Sequence, residues 1–222
     1  MKTVKKLIVS VMIMAIALSC IACDMQAKTY KASDLKYFTF TQIEGGYAVS
    51  AKDVSNLPET LALPYEYEGE KVIEVATKGF EGAIIKNLIV PKSIRVIGER
   101  AFANSKVQDI QFFTGVEKIA TAAFFGCTEL KSLNLPVSVL SIGDSAFNAC
   151  VSLTSVKLPE KLLLIGRVSF ANCLSLESVY IPRRVQAIGD HAFMNCAENI
   201  QFEISAGNEY YKLDENGRPV KR

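Results

Sequence analysis

Apolar and polar positions recur along this chain with a beat of 22–23 residues. Six phenylalanines mark it: Phe80, Phe102, Phe124, Phe147, Phe170 and Phe193, separated by 22, 22, 23, 23 and 23 residues. Around them the consensus reads I-G-x-x-A-F-x-x-C-x-x-L-x-x-V-x-L-P. Two short apolar segments alternate with turns in each unit. A fixed period in the range of about 20–29 residues predicts a solenoid, in which each unit is one supersecondary element that stacks on its neighbours.

Each column has a physical task. Leu153, Val156 and Leu158 carry the pattern of a short strand with one buried face, and Pro159, which has no amide proton, ends it. Ile165-Gly166 reads as a second short extended piece, with the glycine allowing a tight turn. Asp144 and Asp190 stand where a helical turn is expected to begin, a favoured capping position. One unit cannot bury its own apolar face, so the Phe, Ile and Leu columns are expected to stack into ladders. At about 4.8 Å per stacked strand, six units give a sheet roughly 25–30 Å long.

The flanks have another texture. Tyr37-Phe38-Thr39-Phe40, a turn at Glu44-Gly45-Gly46-Tyr47 and a return through Ala48-Val49-Ser50 predict a hairpin. Leu61-Ala62-Leu63-Pro64 followed by Glu68 to Ile73 reads as a degenerate first unit. After Ile204 the chain turns polar. The organisation expected is a targeting segment at 1–22, a β cap and degenerate repeat at 23–70, repeats at 71–204 and a C-terminal cap at 205–222. Both caps cover the apolar ends that a solenoid otherwise exposes.

The repeat pattern over residues about 71–204 resembles the leucine-rich repeats of BspA-like bacterial surface proteins. Departures are local: Phe113 stands for the proline, Ala120 for a glycine, and the first two units are one residue short. The resemblance implies a right-handed solenoid of short parallel strands joined by turns and short helical turns. It also implies adhesion, to host matrix or plasma proteins or between bacteria.

Lys2, Lys5 and Lys6 precede an apolar run from Leu7 to Leu18, the charged start and short core of a secretory signal. The run is shorter than the ~20 residues a membrane helix needs. A cysteine after such a core resembles the acylation site of a bacterial lipoprotein. Cys23 follows Ala22 and is favoured over Cys20, and cleavage after Ala22 or Ala27 without acylation is the alternative. Acyl anchoring needs no protein span. The expected location is the outer membrane or cell surface, with the periplasm or the medium as alternatives.

Loss of residues 1–22 takes three lysines and no acid, which turns 25 basic and 23 acidic residues into 22 and 23, a net of −1. A near-neutral domain has no global field to attract nucleic acid, and no nucleic-acid motif occurs. Cys127, Cys150, Cys173 and Cys196 share a column with Ala83 and Ser105, so the column asks for a small buried residue. Close C-x-x-C pairs, the stronger metal signal, are absent. A structural ladder is expected; a disulfide between rungs remains open. His191, the one histidine, shares its column with Ser145 and Arg100 and is expected to face solvent. No nucleophile elbow, phosphate loop or zinc-protease motif occurs. No cofactor or catalytic residue is expected.

The outward strand face carries the remaining signal. With Leu133 and Leu135 pointing in, Ser132 and Asn134 point out. One outward column reads Ile89, Gln111, Asn134, Lys157, Tyr180 and Glu203; its companion reads Asn87, Asp109, Ser132, Ser155 and Ser178. Tyr180, Lys157, Asn134, Gln111 and Glu203 are the candidate partner-binding residues, with Tyr180 first, because exposed aromatic and long charged side chains serve as contact anchors. The expectation is a monomeric binding protein displaying a rigid face to a protein partner. An envelope scaffold is the alternative.

Overall fold

The computed structural model describes residues 34–222. The expected signal segment, Cys20 and Cys23 lie outside them. Among the described residues no helix is long and apolar enough to cross a membrane. The unit spanning Tyr37–Arg222 is a β-solenoid of about seven turns.

It opens with β1 (Phe38–Ile43), β2 (Gly46–Ala51), β3 (Thr60–Ala62), β4 (Glu66–Tyr67) and β5 (Glu70–Val75). The repeats then supply β6 (Asn87–Val90), β7 (Val96–Ile97), β8 (Asp109–Phe112), β9 (Lys118–Ile119), β10 (Ser132–Asn134) and β11 (Ser141–Ile142). They continue with β12 (Ser155–Lys157), β13 (Leu164–Ile165), β14 (Ser178–Ile181), β15 (Ala187–Ile188) and β16 (Gln201–Ile204). A hairpin of β17 (Tyr211–Leu213) and β18 (Pro219–Lys221) closes the chain.

The Ile-Gly strands form one long sheet in the order β1-β2-β5-β7-β9-β11-β13-β15. The Val-x-Leu strands form a second layer that is split into β3-β6-β8 and β10-β12-β14-β16. The split falls where the period changes. Phe102 precedes Ile110 by 8 residues, whereas Phe124 precedes Leu133 by 9. The extra residue sits in the corner before β10; the Lys131 amide still donates to Gln108 O at 3.1 Å, so β10 lies beside β8, but no strand ladder joins them. The stretch from Phe to the preceding isoleucine keeps its length, and the long sheet stays whole.

The interior is built from columns. Phe80, Phe102, Phe124, Phe147 and Phe170 are fully buried. Their rings stack along the solenoid at centroid spacings of 5.2, 5.2, 5.3 and 5.2 Å, then 5.5 Å to Phe193, with planes within 12° of parallel. Offset stacking of this kind adds about 0.5–1.5 kcal/mol per pair beyond burial. Phe38 meets Phe80 edge-on at one end and Phe202 of β16 meets Phe193 edge-on at the other, so both ends of the stack finish on a ring turned edge-on.

The phenylalanine turns form a third bonded side. The amides of Phe80, Phe102, Phe124, Phe147 and Phe170 each donate to the next repeat, as in Phe102 to Ala123 O at 2.7 Å and Phe147 to Ser169 O at 2.7 Å. Residues two before and two after these rings donate likewise, and with His191 and Asn195 around Phe193 all of them have positive φ, from 45° at Val168 to 74° at Gly82. The position after the ring is filled by Gly, Asn or Ala, mostly residues that accept the left-handed region readily. The position before it holds Lys78, Arg100, Ala122, Ser145, Val168 and His191, and Val168 is a costly choice there because it is β-branched.

Two expectations about local chemistry change. Asp144 caps no helix; its carboxylate accepts the Arg167 amide of the next repeat at 2.7 Å. The consensus glycines are not needed for their φ. A Cβ on Gly166 would lie 2.4 Å from the Gly143 carbonyl carbon, so these positions are glycine because stacked backbones approach closely.

At the C-terminal end Asn208 is buried and locks the cap. Its side chain donates to Pro182 O and Val185 O at 2.9 and 3.2 Å and accepts from the Tyr210 and Tyr211 amides. The Tyr211 hydroxyl then accepts the Ile188 amide at 2.7 Å, satisfying a donor on the last strand of the long sheet. At the other end Tyr67 stacks on Phe40 at 3.9 Å and meets Tyr47 edge-on at 5.2 Å, an aromatic cluster that closes the N-terminal turn.

Candidate functional site

The outward face of β10-β12-β14-β16 gathers four of the five sequence-derived candidates. Parallel register pairs Asn134 with Lys157 and Tyr180 with Glu203. Val156 pairs with Val179, which sets Lys157 beside Tyr180. Successive side chains are therefore about 4.8 Å apart along the column. All four are exposed, and Tyr180 shows 37 % of its surface. Ser155 pairs with Ser178 and Ser178 with Gln201 in the companion column, so small polar groups leave room around the tyrosine. Gln111 is also exposed, but it lies on β8, beside Ile89 and across the split. β8 packs beside β10, where the Lys131 amide donates to Gln108 O, without a strand ladder between them.

The strands hold these side chains rigidly because the opposite face is packed. Leu133, Val179 and Ile181 are 1 %, 2 % and 0 % exposed. Between the strands and the Phe turns, cross-repeat ion pairs cover the corners: Lys86 with Glu59 at 2.9 Å, Lys106 with Glu129 at 3.5 Å. These pairs are exposed and contribute little stability.

A second surface was not legible in the sequence. Along the long sheet a groove of about 530 Å³ runs over Lys118, Ser141, Leu164 and Ala187 on one side and Glu99, Asp144 and Arg167 on the other. Its floor is the small-residue column Ala120, Gly143, Gly166 and Gly189. The close backbone approach that demands glycine also leaves a trough between two ridges of side chains. Leu164, 47 % exposed, is its main apolar wall. The signal in the sequence was the glycine column itself, read only as a turn.

The cysteine column is chemically quiet. Each thiol donates to the carbonyl of the phenylalanine one repeat earlier: Cys127 to Phe102, Cys150 to Phe124, Cys173 to Phe147 and Cys196 to Phe170, at 3.2–3.3 Å. All four are free. Burial pushes Cys127 and Cys173 up to about 12 and Cys196 up to about 11, and Cys150 well above its ordinary value. A thiol held protonated is a poor nucleophile. Among the described residues no group of His, Cys, Asp and Glu is placed to hold a metal. His191 is exposed on the turn surface, as its column predicts.

Comparison with known proteins adds the following. Residues 73–200 match the BspA type leucine-rich repeat region, in six copies. A leucine-rich repeat protein of T. pallidum is 30 % identical, with TM-score 0.71 over 77 % of this chain and 79 % of the other. A leucine-rich repeat protein of Bacteroides ovatus is 27 % identical, with TM-score 0.51 over 76 % of this chain and 51 % of the other. The pneumococcal vaccine antigen PcpA, 24 % identical, shares the fold with TM-score 0.70 over 83 % of this chain and 52 % of its own. The chain thus spans about half the length of the latter two. No curated protein matches. The phenylalanine stack, the two strand layers and the six matched copies agree: this chain belongs to the BspA-type leucine-rich repeat family.

Proposed function

We propose that the chain is an exported, lipid-anchored binding protein that presents the Lys157-Tyr180-Glu203 face of its solenoid to a protein partner, in adhesion to host matrix or plasma proteins or to other cells. The observation that carries this reading is the contrast on β12, β14 and β16. An inner face with Val179, Ile181 and Phe202 buried fixes an outer face whose exposed tyrosine lies between a lysine and a glutamate, beside serines. Such an anchor, already ordered, binds with little further entropy cost. Family membership supports a leucine-rich-repeat interaction scaffold, and the signal-like N-terminus supports export. Catalysis forms no part of the reading. Many copies on one cell compensate for modest affinity per copy.

The test is binding of the chain from residue 24 onward to immobilised matrix and plasma proteins, beside Tyr180→Ala and Lys157→Ala. Saturable binding weakened by both substitutions is expected. Absence of binding across the panel would move the reading to an envelope scaffold, with partner capture from the native membrane as the next step. Fatty-acid labelling of cells tests the anchor: the label is expected to vanish in Cys23→Ala and to persist in Cys20→Ala.

A further inference from the structure

The two ends of the solenoid are finished differently. The C-terminal end is closed by a hairpin, and the Tyr211 hydroxyl occupies the Ile188 amide of the last long-sheet strand. The N-terminal end of the same sheet is the strand β1. The Lys52 amide donates to Tyr37 O, so the bonded pairs of this antiparallel ladder fall at Tyr37, Thr39, Thr41 and Ile43. The backbone groups of Phe40 and Gln42 therefore point away from β2, toward an edge with which no other strand pairs among the described residues. Thr39, Thr41 and Gln42 are exposed.

Open edges are normally blunted by a charge, a proline, a bulge or a short length. β1 has none of these: it is six residues long and reads Phe-Thr-Phe-Thr-Gln-Ile. The other N-terminal edge, β3, is three residues long and lies between Glu59 and Pro64. Charge then selects the occupant. Residues 37–75 carry seven acidic and two basic side chains. Tyr67, stacked on Phe40 of the edge strand, is followed by Glu68, which accepts from the Tyr47 hydroxyl at 3.4 Å. Glu44 stands at the turn that ends β1.

We infer that β1 is a second interaction site, at which an extended, lysine- or arginine-bearing segment of a partner protein adds as a further strand of the long sheet. Main-chain bonds to Phe40 and Gln42 supply affinity, and the carboxylates at Glu44 and Glu68 select basic side chains. A second copy of this chain is disfavoured, because head-to-head pairing would bring two acidic caps together. The site is independent of Tyr180.

The test titrates the full 222-residue chain with three peptides of equal length. One alternates valine and lysine, one alternates valine and glutamate, and the third is the lysine peptide with its backbone amides methylated. Hydrogen exchange at individual amides is followed throughout. The lysine peptide is expected to bind saturably and slow exchange at Phe40 and Gln42 by about tenfold or more. The methylated and glutamate peptides are expected not to bind. Glu44→Gln with Glu68→Gln should weaken the lysine peptide about threefold or more, since both selecting charges are gone. Tyr180→Ala should leave its binding unchanged. Absence of binding, equal binding of the methylated peptide, or protection of the same amides by self-association alone would each overturn the proposal.

Discussion

The phenylalanine column and the outward column of the split sheet lie on the same repeats and obey opposite rules. The first is the same residue at six consecutive rungs; the second changes at every rung, from Ile89 through Gln111, Asn134, Lys157 and Tyr180 to Glu203. Stacking explains the difference. A buried ring must meet a ring of the same size above and below it, whereas an outward side chain meets solvent. Uniformity therefore marks what folds the molecule, and variation marks where it is free to recognise something.

The contrast is broken most severely from the inside. Phe124→Ala should cost about 3–5 kcal/mol, because it removes a fully buried ring stacked on both sides. Urea unfolding measures it, and a loss under about 1 kcal/mol would mean the stack relaxes around the gap.

Alkali acts on the neighbouring column. Burial raises the Cys127, Cys150 and Cys173 thiols in the folded state, so folding favours their protonated form. Their contribution is complete below the unfolded thiol value, near 9, and is lost as pH rises toward about 12. Stability is expected to fall over that window, and Cys150→Ala, which copies Ala83 at the same position, should flatten the fall. A stability profile unchanged by that substitution would separate the thiols from the alkaline transition.

A smaller effect should run in the stabilising direction. Ser169 occupies a buried column otherwise held by Gly79, Ala101, Ala123, Ala146 and Ala192, and its hydroxyl has no hydrogen-bond partner. Ser169→Ala should raise stability by about 1 kcal/mol by removing an unsatisfied buried group. Destabilisation in the same urea assay would show that the hydroxyl is satisfied in solution.

The interior was legible in the sequence because a repeat states its own geometry. The Phe spacing, the prolines Pro91, Pro136, Pro159 and Pro182 after their strands and the Glu44-Gly45 hairpin turn all have their expected places. What stayed hidden depends on how one backbone approaches another. Ile165-Gly166 announced a turn, but its glycine answers to the carbonyl carbon of Gly143 one rung away. The left-handed pairs around each phenylalanine were obscured because Lys78, Arg100 and Val168 are not residues that advertise positive φ. Asp144 looked like a helix cap, since a capping aspartate and one that bonds the next repeat have the same local sequence. Tyr180 was recognisable as an exposed aromatic, but the missing ladder between β8 and β10 was not, because strand pairing appears only when the rungs are stacked.

The most direct test takes the Tyr180→Ala, Lys157→Ala double variant and measures urea stability and binding to the matrix and plasma panel side by side. The account predicts stability within about 0.5 kcal/mol of the parent, as for other exposed positions, together with loss of most of the binding. Undiminished binding, or a large fall in stability, would contradict the division between an interior that folds and an outer face that binds.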